Sequence, residues 1–252
     1  MAIQDEIREQ TKKFKDLTPK EKLKYIWDYY KIPIIVAVAV VIFVAVLVGD
    51  IRDNNKPTYI NAVFINSNIA ADPGIALEDD YLRCTGVNPE EQHVFLSYDY
   101  NFSSEYFDTT MMAYQQKLMA LYSAQDVDAV IGPVGIMETV ADCGGYGDLE
   151  KMLPADLIDD LKERGYEFYY YSGRRYSDEE KQYLDEETLK ELESFEPYVA
   201  GVYLETSSYM NNLGEYGVYS MPESEDDRPI FTIPVNTTRL DHSIELLKFL
   251  TE

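Results

Sequence analysis

Residues Ile32–Val48, IPIIVAVAVVIFVAVLV, run for seventeen positions without a charge or a hydrogen-bonding side chain. Wound as a helix at about 1.5 Å per residue, the run rises about 26 Å, close to the hydrocarbon thickness of a bilayer. Because it is apolar on every face, it suits lipid better than the half-exposed flank of a soluble core. Trp27, Tyr29 and Tyr30 come just before it, where amphipathic rings favour the membrane interface. A cleaved signal peptide needs a short basic region and small residues at the cleavage site. Here thirty-one residues precede the run, and Leu47 and Gly49 match such a site poorly. The expectation is an uncleaved single-pass signal anchor over residues 32–49, with the lipid bilayer as its partner.

Lys12, Lys13, Lys15, Lys20, Lys22, Lys24 and Lys31 lie before the anchor, and only Arg52 and Lys56 follow closely. Basic residues concentrate on the cytoplasmic side, so the expected location is the cell membrane, amino terminus in the cytoplasm and C-terminal domain extracellular. Of 22 basic and 46 acidic side chains, residues 50–252 hold 14 and 40. A domain that acidic excludes nucleic acid as a partner, because phosphate binding needs a basic face. Its simplest role is a soluble, self-repelling surface.

Four segments follow. Residues 1–31 form a basic, cytoplasmic, helical arm; 32–49 the anchor; 50–57 a polar linker; 58–252 an extracytoplasmic α/β domain. In the arm, Thr18-Pro19-Lys20-Glu21 is a helix start, with Thr18 as cap, Pro19 in the first turn and Glu21 completing a capping box. Leu23, Ile26, Trp27 and Tyr30 recur at helical spacing, which predicts an amphipathic helix on the inner membrane surface, redirected into the bilayer at Pro33. In the domain, 59–65, 93–101 and 127–131 read as strands; 72–86, 109–123 and 134–141 read as helices. This alternation predicts parallel pairing, right-handed crossovers and a three-layer domain with a mixed, mostly parallel sheet. Farther on, helices are expected over 148–153, 154–164, 177–195 and 241–250, and strands over 166–171, 198–204 and 230–235.

Residues 126–164, DVDAVIGPVGIMETVADCGGYGDLEKMLPADLIDDLKER, give a short strand, a helix, a Gly147-Asp148-Leu149 turn, Leu153-Pro154 and another helix. This pattern resembles the extracellular solute-binding proteins of bacterial uptake systems, as do Tyr198–Glu205 and Phe231–Asn236 with Thr237–Leu250. The resemblance implies a periplasmic-binding-protein-like fold in reduced form, with Asp128–Ile131 a strand reporting to a ligand cleft. Family members have two lobes and a cleaved signal, whereas this domain supplies about one and a half lobes. The stretch Tyr25–Lys31, YIWDYYK, also resembles uncharacterised single-pass membrane proteins of Gram-positive bacteria.

In open parallel sheets, ligands bind beyond the carboxyl ends of the strands. Candidate ligand-binding residues there are Asn66, Ser67, Asp99, Tyr100, Gly132, Val134, Glu205, Ser207 and Asn236. Val134 opens a helix whose free amides could receive an anion. The same residue types also make ordinary turns and caps. The 22 tyrosines offer flat faces with polar tips for recognition, although packing alone accounts for most such residues. Catalysis finds little support: His93 and His242 have no nucleophile spacing, and neither Gly-x-Ser-x-Gly nor a phosphate loop occurs. Asp72 with Glu78-Asp79-Asp80 misses the EF-hand spacing, so no metal and no cofactor is expected. Cys84 and Cys143 leave a disulfide open. The expected function is binding without catalysis: capture of a small solute for a membrane partner, or alternatively scaffolding and docking of another protein in the cell envelope.

Overall fold

The computed structural model describes residues 18–67, 71–102, 109–138, 145–173, 176, 178–205, 207, 219 and 222–252. The first part of the arm and Cys143 lie outside them; the Cys84 thiol is free and exposed. The chain divides into two compact units, residues 1–56 and 57–252.

Among the described residues of the first unit one helix, α1, runs from Pro19 to Asn54. Glu21 reaches back to the Thr18 N–H at 2.9 Å and to its hydroxyl at 2.6 Å, closing the capping box expected from the sequence. Trp27 is exposed, as are the apolar residues from Ile32 to Ile51. The Lys31–Asn54 portion is long and apolar enough to cross a membrane or to act as a signal sequence. Two expectations are corrected. Pro33 sits inside the helix and does not redirect it; one lost backbone hydrogen bond is tolerated within a long helix of this type. The polar residues after Gly49 also stay helical, with Arg52 in the last turn and the Asn55 side-chain amide donating to the Ile51 carbonyl. Only residues 55–57 remain as connection.

The second unit is an α/β domain built on a six-stranded mixed sheet. Its strands are β1 Thr58–Ile65, β2 His93–Tyr100, β3 Ala129–Pro133, β4 Phe168–Tyr171, β5 Tyr198–Tyr203 and β6 Pro229–Thr232. Its helices are α2 Ala71–Thr85, α3 Thr109–Ser123, α4 Leu149–Met152, α5 Ala155–Glu163, α6 Asp178–Lys181, α7 Glu186–Ser194 and α8 Leu240–Leu250. The spatial order is β2-β1-β3-β6-β5-β4. β1 pairs in parallel with β2 and β3, whereas β3–β6, β6–β5 and β5–β4 are antiparallel. The sheet is therefore mixed, but not mostly parallel as the sequence suggested. The intervening α6 and α7 read as a crossover, yet strands joined through helices can also return antiparallel when both ends of the connection lie at one sheet edge.

Alternation along β1 sets the layers. Ile60, Ala62 and Phe64 enter one core with Leu77 and Tyr81 of α2, Leu157 and Leu161 of α5, and Leu246, Leu247 and Leu250 of α8. Val63 and Ile65 enter a second core with Leu118 and Tyr122 of α3, Val134 and Met137. Helices thus cover both faces. In β5, Val199 and Val202 share one core and Ala200 and Tyr203 the other, a spacing that simple alternation forbids. A register shift resolves it: Tyr169 lies opposite Gly201 and Tyr170 opposite Val199, leaving Ala200 as the extra residue of a bulge. Gly201 eases the close approach there, since a Cβ would stand 3.0 Å from the Phe231 carbonyl oxygen.

The expected long helix over 177–195 is two short ones. Asp185 starts α7 by accepting from the Thr188 N–H at 2.7 Å, which ends the preceding helical stretch.

Candidate functional site

β1 lies between β2 and β3, with α2 following β1 onto one face and residues 134–138 following β3 onto the other. The carboxyl ends of β1 and β3 therefore form a topological switch point, the usual place for a ligand crevice. β6 begins and β5 ends at this same edge, because Pro133 faces Pro229 and Tyr203 faces Ile230. The carboxyl edge thus gathers Asn66, Ser67, Tyr100, Gly132, Val134 and Glu205 from the residues expected at a site.

The chain itself uses most of these groups. Asn66 adopts a left-handed backbone, φ 53°, which asparagine tolerates better than most residues. Its side-chain amide donates to the Phe102 carbonyl at 2.8 Å and accepts from the Phe102 N–H at 2.6 Å, while its own N–H donates to the Tyr100 carbonyl at 2.8 Å. Asn66 is a clasp between the ends of β1 and β2. Gly132 permits close approach of β1, since a Cβ would stand 2.9 Å from that of Ile65. The Val134 N–H donates to the Arg228 carbonyl at 3.0 Å, so it does not face an anion. Ser207 is buried and its hydroxyl donates to the Leu250 carbonyl at the end of α8. Ser67 makes only a long contact, 3.5 Å to the Tyr98 carbonyl. Asp99 is exposed, 3.6 Å from Lys117, whose ammonium lies 4.6 Å from the centroid of the buried Tyr100 ring.

A residue that sequence reasoning missed fills the switch point. Tyr219 is buried, and its hydroxyl lies 2.9 Å from the Ile65 carbonyl oxygen and 3.0 Å from that of Ile131. These are carbonyls of adjacent strands, β1 and β3, and one phenolic proton serves both. Burial drives the Tyr219 pKa well above its usual range, so the group stays a neutral donor. Nothing in the local pattern around Tyr219 marks it, because it belongs to no strand or helix of the regular framework.

The same edge carries a charged hub. Arg228 donates through Nε to Glu205 at 2.7 Å, through Nη2 to Glu167 at 2.7 Å, and through Nη1 to Glu225 at 3.1 Å. Its guanidinium lies 3.6 Å from the centroid of Tyr203, whose hydroxyl donates to Glu225 at 2.6 Å. Burial opposes the charge, but the hydrogen bonds of Glu205, Glu167 and Glu225 outweigh it and hold the Arg228 pKa above its ordinary value. Glu205, expected to face a ligand, is instead one arm of this hub.

Asn236 lies at the opposite edge, because β6 runs against β3. Its side-chain amide donates to the Tyr122 carbonyl at 2.7 Å. That edge holds a second network absent from the sequence reading of the cleft. Asp128 is fully buried; its carboxylate accepts from the Asn61 N–H, the Thr237 hydroxyl and Arg239 Nε, each at 2.8 Å. Arg239 Nη2 also donates to Asp126 at 2.8 Å. Asp128 therefore points to the amino end of β3 and not to a cleft.

No family model, curated protein or solved structure matches the chain. The arrangement must be read from its own chemistry. Among the described residues, no group of three or more His, Cys, Asp or Glu is placed to hold a metal ion. The tyrosines are mostly structural. Tyr146, Tyr169, Tyr171, Tyr198 and Tyr203 meet edge to face with centroids 5.4–6.5 Å apart. Within Tyr169-Tyr170-Tyr171 only Tyr170 points largely to solvent, at 57% exposure.

Proposed function

We propose that the chain is a single-pass membrane protein with a cytoplasmic amino terminus, whose C-terminal domain lies outside the membrane and docks another envelope protein without catalysis. The charge asymmetry around residues 32–49 supports the orientation. The α/β domain is a reduced relative of the solute-binding lobe in this reading, sharing the switch point but not its use. Tyr219 carries the choice between the two functions. A small solute at the switch point would have to displace a buried ring and replace its hydrogen bonds to Ile65 and Ile131. The other expected cleft groups, Asn66, Val134, Glu205 and Ser207, are bonded within the chain. A surface that need not open suits a protein partner better.

Two measurements test this reading. Protease added to intact cells should remove the C-terminal domain and spare the arm; full protection would overturn the orientation. Thermal shift of the detergent-solubilised full chain against sugars, amino acids, peptides and ions should stay flat, while cross-linking in cells recovers an envelope protein. A ligand-dependent rise in Tm that Glu205→Ala abolishes would establish solute capture instead.

A further inference from the structure

Helix α3, TTMMAYQQKLMALYS, carries one charged side chain in fifteen, in a chain that is 27% charged. Leu118 and Tyr122 are buried in the second core, with Met111, Tyr114 and Leu121 packed against it. That inward set leaves Met112, Ala113, Gln116, Met119 and Ala120 exposed on the other side. Met112 and Met119 keep 43% and 46% of their surface open. The single charge, Lys117, lies 3.6 Å from Asp99 and 4.6 Å from the Tyr100 ring centroid, at the flank of this face and half exposed. α3 itself contributes no carboxylate.

Residue sizes on this face are self-complementary. An antiparallel copy crossing at Gln116 sets Met112 opposite Ala120, Ala113 opposite Met119, and Thr109 opposite Ser123. Each thioether then meets a methyl group, the large-to-small alternation by which facing layers interdigitate. The two Gln116 amides meet on the axis, where each can donate to and accept from the other. An isologous twofold contact demands this kind of self-complementarity. The spacing Met112, Gln116, Met119, Ser123 also follows the four-three rhythm of a helix-pair seam. Residues 50–252 hold 40 acidic against 14 basic side chains, so two copies repel over most of their surfaces. Along α3 they approach without a carboxylate from either helix.

We infer that α3 is a homodimer interface, its occupant the α3 of a second copy, antiparallel and centred on Gln116. The inference stands on the geometry of α3 and does not depend on what the domain docks, but its strength rests on the proposed membrane anchoring. One helix face falls short of the roughly 1,200 Å² of a standard interface. The pairing is accordingly weak in dilute detergent and strong where copies share a membrane at high effective concentration.

The test uses the full chain with Cys84→Ser and Cys143→Ser, reconstituted in liposomes and mildly oxidised. Gln116→Cys lies on the axis and is expected to cross-link to itself. Met112→Cys alone and Ala120→Cys alone stay monomeric, whereas a mixture of the two forms the dimer. Adding Ala120→Glu to Gln116→Cys sets a carboxylate against the partner's seam and should cut cross-linking about tenfold, equivalent to about 1.4 kcal/mol, with Tm unchanged. Failure of Gln116→Cys to dimerise overturns the inference, as does equal cross-linking by Met112→Cys alone. Capture in cells of a different protein through Gln116→Cys, in place of the dimer, overturns the choice of occupant.

Discussion

The carboxyl ends of β1 and β3 are tied by neutral groups, the Tyr219 hydroxyl and the Asn66 amide, on an edge that also carries the Arg228–Glu205 pair, whereas the opposite edge buries the Asp128 carboxylate against Arg239. Both edges satisfy buried polar groups, but they differ in what removal leaves behind. A lost phenol uncovers two carbonyls that water or another hydroxyl can serve. A lost carboxylate strands the Asn61 N–H and leaves Arg239 with Asp126 as its one remaining carboxylate among the described residues. Loss of the Asp128 carboxylate is therefore expected to cost more than loss of the Tyr219 hydroxyl or the Asn66 amide.

Asp128→Ala should break this comparison hardest, costing about 3–5 kcal/mol by removing the fully buried member of the Arg239 pair and the acceptor of the Asn61 N–H and the Thr237 hydroxyl. Denaturant unfolding should show a large fall in midpoint; an effect no greater than that of Tyr219→Phe would mean that the two edges are equivalent. Tyr219→Phe keeps the ring and should cost about 1–3 kcal/mol for the Ile65 and Ile131 carbonyls. Hydrogen exchange around the β1–β3 ends should rise in that variant and remain unchanged at Asn61. Asn66→Ala should cost about 1–3 kcal/mol, since alanine loses the clasp and keeps an unfavourable left-handed backbone. Asn66→Gly should recover part of it, separating backbone strain from the lost amide.

The smallest effect belongs to Glu78, away from both edges. Burial, and then the neighbouring charge of Asp79, raise its pKa above the usual carboxylate value. Well below that value the group is protonated in folded and unfolded chains alike and imposes no penalty. As pH rises through the interval up to the raised value, the unfolded chain gives up its proton first, stability falls, and the loss persists above it. Glu78→Gln should therefore raise Tm slightly at neutral pH and leave it unchanged in acid.

The sequence located some elements well, for physical reasons that can be named. α3 occupies the expected Thr109–Ser123, where buried Leu118 and Tyr122 recur at helical spacing. The apolar run over 32–48 was legible from composition alone, but its continuation to Asn54 was not, because polar residues at a helix end look like a linker. Strand direction was hidden in the second half: local pattern shows that β5 and β6 exist but not which way they return. That inversion moved Asn236 to the wrong edge. Asn66 and Glu205 were placed at the right edge, but their engagement in a clasp and an ion pair was not legible, since a residue type suited to a ligand is equally suited to either. Asp128 offered a clue in VDAVI, where a lone acid inside a buried run needs a partner. Its partner Arg239 lies 111 residues away, beyond the reach of local pattern.

The chain has a single indole, and it sits at Trp27 in α1, while the domain of residues 57–252 has none. Red-edge excitation therefore interrogates α1 alone, and shorter wavelengths add the many phenols of the domain. One sample thus carries two optical reporters with separate addresses: an emission shift from Trp27 follows the surroundings of α1, and phenol emission follows melting of the sheet.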